Sequence, residues 1–330
     1  MEAFVKILIR VFTFALLFGP TIGANPPPQG KDAGAPPEWA YPVNPPDDKP
    51  ASDDGSLMRV PGSSLAITRT QALDSFNIPD WHPEGHPAMP DVVEHGRKPA
   101  VRGCGYCHLP NGLGRPENAS LAGLPASYIE QQVADFRRGA RISSEPKMAP
   151  PAAMIVIAVA ATDAEVKAAA GYFSTLKLKP WIRVVETSTV PKTHVSGSML
   201  VQVEGGGTEP LGQRIIETPE NLERTELRDA ASGFIAYVPA GSVKKGEALV
   251  TTGGVGKTIQ CAICHGPELK GLGPVPPLAG RSPSYIFRQL YDIRHGVRKG
   301  EWSVLMQAPV AHLSEADMVS IAAYLASRTP

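Results

Sequence analysis

From Ser314 onward the apolar positions Val319, Ala322, Ala323 and Leu325 recur with helical spacing, behind an N-cap residue with acids in the following turn. Thr162 opens an equivalent stretch earlier in the chain. Helices are also expected near 91–96, 126–138, 243–252 and 283–295. Trp181–Val185, Ser198–Val203 and Gly233–Val238 have strand composition, interrupted by Pro and Gly. Residues 25–56 carry Pro26, Pro27, Pro28, Pro36, Pro37, Pro45 and Pro46, which rule out helix and hinder sheet, so a disordered arm is expected there. Residues 57–89 show no clear period and are expected to wrap irregularly over the helical domain that begins near residue 90. Near the start, Lys6 and Arg10 precede the apolar run Val11–Phe18, and Thr21–Ala24 offers a cleavage site. Residues 1–24 therefore read as a signal peptide, the run being short for a membrane span; an uncleaved anchor is the alternative.

The pattern repeats. A shift of 157 residues (261 − 104) maps Leu121–Gly123 onto Leu278–Gly280, Tyr128–Ile129 onto Tyr285–Ile286, Asp135 onto Asp292, Arg137 onto Arg294 and Gly139 onto Gly296. Past Gly139 the shift becomes 152, mapping Thr162 onto Ser314 and Tyr172 onto Tyr324. The second copy is thus five residues shorter. Two copies of one helical domain are expected, at 90–178 and 242–330, with 179–241 as an insert of partly β character. The fold class is mainly α, two tandem domains joined by that long insert.

The repeat centres on Cys104-Gly-Tyr-Cys107-His108 and Cys261-Ala-Ile-Cys264-His265, both C-x-x-C-H. The spacing lets two thiols add to the vinyl groups of a haem while the adjacent His takes an axial position on iron. These motifs hold all four cysteines. A disulfide framework belongs to small cysteine-dense chains, and a thioredoxin-like pair leaves His108 and His265 unexplained. Zinc pairs usually sit ~15–20 residues apart. Two covalently bound c-type haems are expected, held by Cys104, Cys107 and His108 and by Cys261, Cys264 and His265. Gly253–Thr258 resembles a phosphate loop, but Thr251 stands where that pattern needs Gly.

Electron-transfer haems usually carry Met or a second His opposite the first. Met306 lies eight residues before Ser314, and Met154 eight before Thr162, so these two are the expected sixth ligands; Met148 is the alternative in the first copy. A carbonyl near the proximal His usually accepts its ring N–H, and Pro276 is placed for that in the second copy, with Ala119 in the first.

Together the two C-x-x-C-H motifs, Leu-Ala-Gly before Tyr-Ile, the late Met and the final Ala-Ala-Tyr-Leu resemble class I cytochromes c, and the doubling resembles the di-haem cytochrome c4 type. The resemblance covers 90–178 and 242–330 and implies two His/Met haems that pass single electrons in the periplasm. The extra sixty or so residues between the copies depart from it. Partners implied are redox proteins: a quinol-oxidising complex, a terminal oxidase or a dehydrogenase, with peripheral contact to a membrane complex. Zero formal net charge points away from nucleic acid. Two alternatives remain: a dedicated cytochrome subunit of an oxidoreductase complex, and a di-haem peroxidase. The latter needs an open iron position that the methionines argue against.

Overall fold

The computed structural model describes residues 34–330. The expected signal peptide and the first part of the arm lie outside them. The elements are α1 Arg69–Ala72, α2 Asp91–Glu94, α3 Gly105–His108, α4 Ala126–Arg137, α5 Ala149–Ala160 and α6 Asp163–Thr175, then β1 Ile182–Thr187, β2 Thr189–Pro191, β3 Thr193–Ser196, β4 Met199–Gln202, β5 Thr208–Pro210, β6 Ile216–Pro219, α7 Leu222–Glu226 and β7 Phe234–Pro239, and finally α8 Ser242–Thr252, α9 Ala262–His265, α10 Pro283–Arg294, α11 Gln307–Val310 and α12 Glu315–Ser327. None of the described helices is long and apolar enough to cross a membrane.

Each repeat packs its last helix against the Tyr-Ile helix, α6 on α4 and α12 on α10. The last helices start in capping boxes. Thr162 accepts from the Glu165 amide and Ser314 from the Asp317 amide, and each acid reaches back to the cap amide. In the second repeat α8 runs for eleven residues and crosses α12 closely: a Cβ on Gly246 would lie 1.9 Å from the Ser320 carbonyl oxygen. In the first repeat the corresponding helix is the single turn α2. Pro87 and Pro90 precede it, and proline disfavours helix both at its own position and at the residue before.

The insert holds seven strands. β1 pairs in parallel with β7 and β7 in antiparallel with β6, while β3–β4 form a hairpin enclosed by the antiparallel pair β2–β5. The main sheet joins the two domains. Trp181 and Phe234 enter the core of the first repeat, whereas Val238 enters that of the second.

The expectation of a disordered arm fails for Trp39–Tyr41. Ala40 and Tyr41 are buried in the core of the second repeat, the Tyr41 hydroxyl donates to Asp292 at 2.7 Å, and Arg288 donates to the Ala40 carbonyl at 2.9 Å. Prolines exclude regular hydrogen-bonded structure here; they do not exclude docking by aromatic side chains. The stretch 57–89 is irregular apart from α1, an isolated bridge and a short 3-10 turn, and packs on the insert as well as the first domain: Trp81 donates to the Leu227 carbonyl at 2.8 Å and the Gly103 amide to that of Ser75 at 2.9 Å.

Candidate haem sites

Each C-x-x-C-H motif forms one helical turn, α3 or α9, ending in the histidine. The chain then turns back through the same backbone conformation in both copies, on Leu109 (φ 62°, ψ 153°) and on Gly266 (φ 79°, ψ 167°). Glycine adopts this freely; leucine does so under strain, held by burial of its side chain.

The turn brings a carbonyl to each imidazole. His108 Nδ1 lies 2.8 Å from the Ala119 oxygen, and His265 Nδ1 lies 2.8 Å from the Pro276 oxygen. A carbonyl can only accept, so Nδ1 carries the proton and Nε2 keeps a lone pair for a metal. Burial lowers the proton affinity of both rings, favouring the neutral form that ligates. Burial also pushes the Cys104 thiol up to about 12 and the Cys261 thiol to about 11. All four thiols are free rather than disulfide-bonded. This donor set fits a haem: in each copy there are two free thiols at a fixed spacing and an imidazole with one oriented nitrogen.

The methionines fall in different surroundings. Met306 ends a 3-10 turn spanning Glu301–Met306, is partly buried, and packs on the core that Cys261 also touches. Met154 is half-buried in the middle of α5. The five extra residues of the first copy are accommodated here: where the second copy has the 3-10 turn and α11, the first has the three-turn helix α5. The register of the repeat is fixed again just before the last helix. Arg137 donates to the Ala161 carbonyl and Arg294 to the Leu313 carbonyl, one residue before each cap. Met148 is wholly buried, in the core of the second repeat with Tyr41, Phe287 and Tyr291.

Among the other histidines, His82 pairs with Asp229 at 2.9 Å, and His86 with Asp80 at 3.1 Å and the Tyr172 hydroxyl at 3.0 Å. His295 bonds the Tyr291 carbonyl.

The contact between the repeats is not apparent in the linear pattern. Arg141 donates to Tyr285 Oη at 2.7 Å, while Arg298 donates to Tyr128 Oη at 2.7 Å. Arg141 also reaches Gln132 at 2.9 Å, and Arg298 reaches Gln289 at 3.1 Å. Every member maps onto its counterpart by the 157-residue shift, which holds two residues beyond Gly139 to reach Arg141, so the seam has local two-fold symmetry. Extending the shift to Gln132 and Arg141 was the available signal.

Two covalent haem sites in tandem helical domains define a di-haem cytochrome c, an electron carrier. The family model described as cytochrome c oxidase, cbb3-type, subunit III matches residues 242–325. The thiosulfate dehydrogenase electron acceptor of Stutzerimonas stutzeri is 30% identical over 238 residues, 71% of this chain and 83% of its own length. Cytochrome c4 of Azotobacter vinelandii is 29% identical over 133 residues, 36% of this chain and 63% of its own. Among solved structures, thiosulfate dehydrogenase from Marichromatium purpuratum aligns over 72% of this chain and 39% of its own, at 26% identity and a TM-score of 0.47. The chain belongs to the family of di-haem c-type cytochromes that includes the thiosulfate dehydrogenase electron acceptors.

Proposed function

We propose that this cytochrome works in the periplasm as the one-electron acceptor of a dehydrogenase that oxidises a reduced sulfur anion such as thiosulfate. The observation that carries this reading is the identity to the Stutzerimonas electron acceptor, which extends over most of both chains and is not confined to the haem motifs. The haem supplies the reversible ferric–ferrous couple when bound. The chain's residues do the rest. The four cysteines fix the porphyrins, the Ala119 and Pro276 carbonyls orient His108 and His265, and a thioether from Met154 and from Met306 completes each set of ligands. The proline ring makes Pro276 the stiffer of the two acceptors, which favours unequal potentials at the two sites. The burial of Met148 in the other repeat's core supports Met154 over Met148 as the first-site ligand.

A dehydrogenase loaded with thiosulfate should reduce the purified protein in stoichiometric amounts, and the two should co-purify or cross-link. Reduction by a quinol-oxidising complex, with none by the dehydrogenase, would instead make it a general carrier like the cytochromes c4 it also resembles.

A further inference from the structure

The two haem-attachment loops are equivalent in sequence register but differ in exposure. In the second copy Ile263 is 63% exposed, Leu272 is 56% exposed and Cys264 is exposed. Their counterparts under the 157-residue shift are Tyr106, Arg115 and Cys107. Arg115 is only 8% exposed, and Tyr106 and Cys107 are half-buried. Pro110, Leu113 and Glu117 are likewise buried where Pro267, Lys270 and Pro274 are exposed.

Over Tyr106, Asn111 and Arg115 the covering material is residues 225–232 of the insert. Arg228 lays its guanidinium 3.4 Å above the Tyr106 ring and donates to the Tyr106 carbonyl at 2.6 Å. Asn111 donates to the Ala230 carbonyl at 2.5 Å. The segment is also tied down from its other side. Trp81 donates to the Leu227 carbonyl, His82 and Arg224 hold Asp229 at 2.9 and 2.7 Å, and Arg69 pairs with Glu226 at 2.8 Å. A buried arginine placed on an aromatic ring, with tethers on both flanks, is a built contact and not a loop resting on a surface.

We infer that residues 225–232 are a built-in cover that closes the attachment edge of the first haem to protein partners, leaving the second edge, at Ile263 and Leu272, as the place where a redox protein exchanges electrons. Tunnelling falls steeply with distance, so a layer of protein over one edge directs traffic to the other. One electron would leave the partner, whose centre is oxidised by one unit, and would be taken up at the site held by Cys261, Cys264 and His265, then pass to an oxidised acceptor through the same exposed edge. This inference rests on the two-haem reading above and gives the insert a role.

Hydroxyl-radical footprinting of the holoprotein, read by mass spectrometry, tests the cover without any turnover. Tyr106 should be protected and Ile263 oxidised, although tyrosine is the more reactive side chain. Arg228→Gln and Asn111→Ala should each raise Tyr106 oxidation severalfold with haem content unchanged. Free oxidation of Tyr106 in the wild-type protein overturns the inference, and that comparison stands even if a variant fails to fold. For the route, Ile263→Glu should slow electron uptake from a reduced blue-copper protein and leave uptake from ascorbate unchanged; equal rates with the copper protein overturn it. Protein without covalent haem would sink the functional reading as well, whereas intact haem with an oxidised Tyr106 would sink this inference alone.

Discussion

The two repeats share a motif, a cap and a ligand-orienting carbonyl, yet they are supported differently. The second is built around long helices, α8 against α12, and gathers outside material into its core: Ala40 and Tyr41 from the arm, Ile215 and Val238 from the insert, and Met148 from the start of α5 in the first repeat. The first has only a one-turn opening helix and leans on Trp181 and Phe234 of the insert. Duplication therefore preserved the chemistry at each iron site, while the scaffolding was divided unequally. One domain became a platform that gathers the arm, the insert and Met148, and the other leans on the insert.

The largest test of that contrast is loss of attachment at one site. Cys264→Ala with Cys261→Ala should halve the haem per chain by pyridine haemochrome assay, and because the second domain is the platform it should also lower the Tm more than Cys104→Ala with Cys107→Ala does. Equal losses in Tm would break the contrast.

Next come the methionines. Met306→Ala and Met154→Ala should each remove one share of the weak near-infrared Met-to-iron band and lower one reduction potential. Met148→Ala should leave the band intact and cost about 2–5 kcal/mol of stability, the usual result of emptying a buried site. Loss of the band in Met148→Ala would reverse the assignment at the first site.

The seam offers a symmetric pair. Arg141→Met and Arg298→Met each take the arginine donor from one tyrosine hydroxyl, at about 1–3 kcal/mol apiece for a buried partner left unpaired, while Gln132 and Gln289 each keep the other arginine. Denaturant unfolding should show similar losses for the two. A large difference would mean that the symmetry is geometric only.

The caps give the smallest effect. Thr162→Ala and Ser314→Ala should cost about 0.5–2 kcal/mol each. The Arg97 hydrogen bond and the Thr162 cap hold the Glu165 carboxyl down at about 2, against an ordinary 4.5. A depressed carboxylate stabilises the fold above its unfolded value, and that stability is lost as pH falls from 4.5 toward about 2. A Tm–pH series on wild type and Glu165→Gln should show a shallower acid slope in the variant.

Much of this site could be read from the chain because it is local. Cys104 to His108 spans one helical turn, and the carbonyl that orients each histidine lies eleven residues on, at Ala119 or Pro276. The capping residues Thr162 and Ser314 announce themselves within four positions. Legibility ended where the determinants were distant. Placing five extra residues as α5, and so choosing between Met154 and Met148, depends on a core that includes Phe287 from the other repeat. The arm's docking rests on Tyr41 meeting Asp292, 251 positions away, and proline content says nothing about such a contact. The cover over Tyr106 comes from Arg228, 122 positions later, in a segment with no periodicity to mark it.

The self-complementary seam has a further consequence. Arg141 finds Tyr285 as Arg298 finds Tyr128, the relation two identical subunits show across an isologous contact. Here both halves belong to one polypeptide, so each meets the other at the high effective concentration a tether imposes. So polar a contact can then stay closed whatever the dilution, and the pairing of the two halves does not vary with how much of the protein the cell makes.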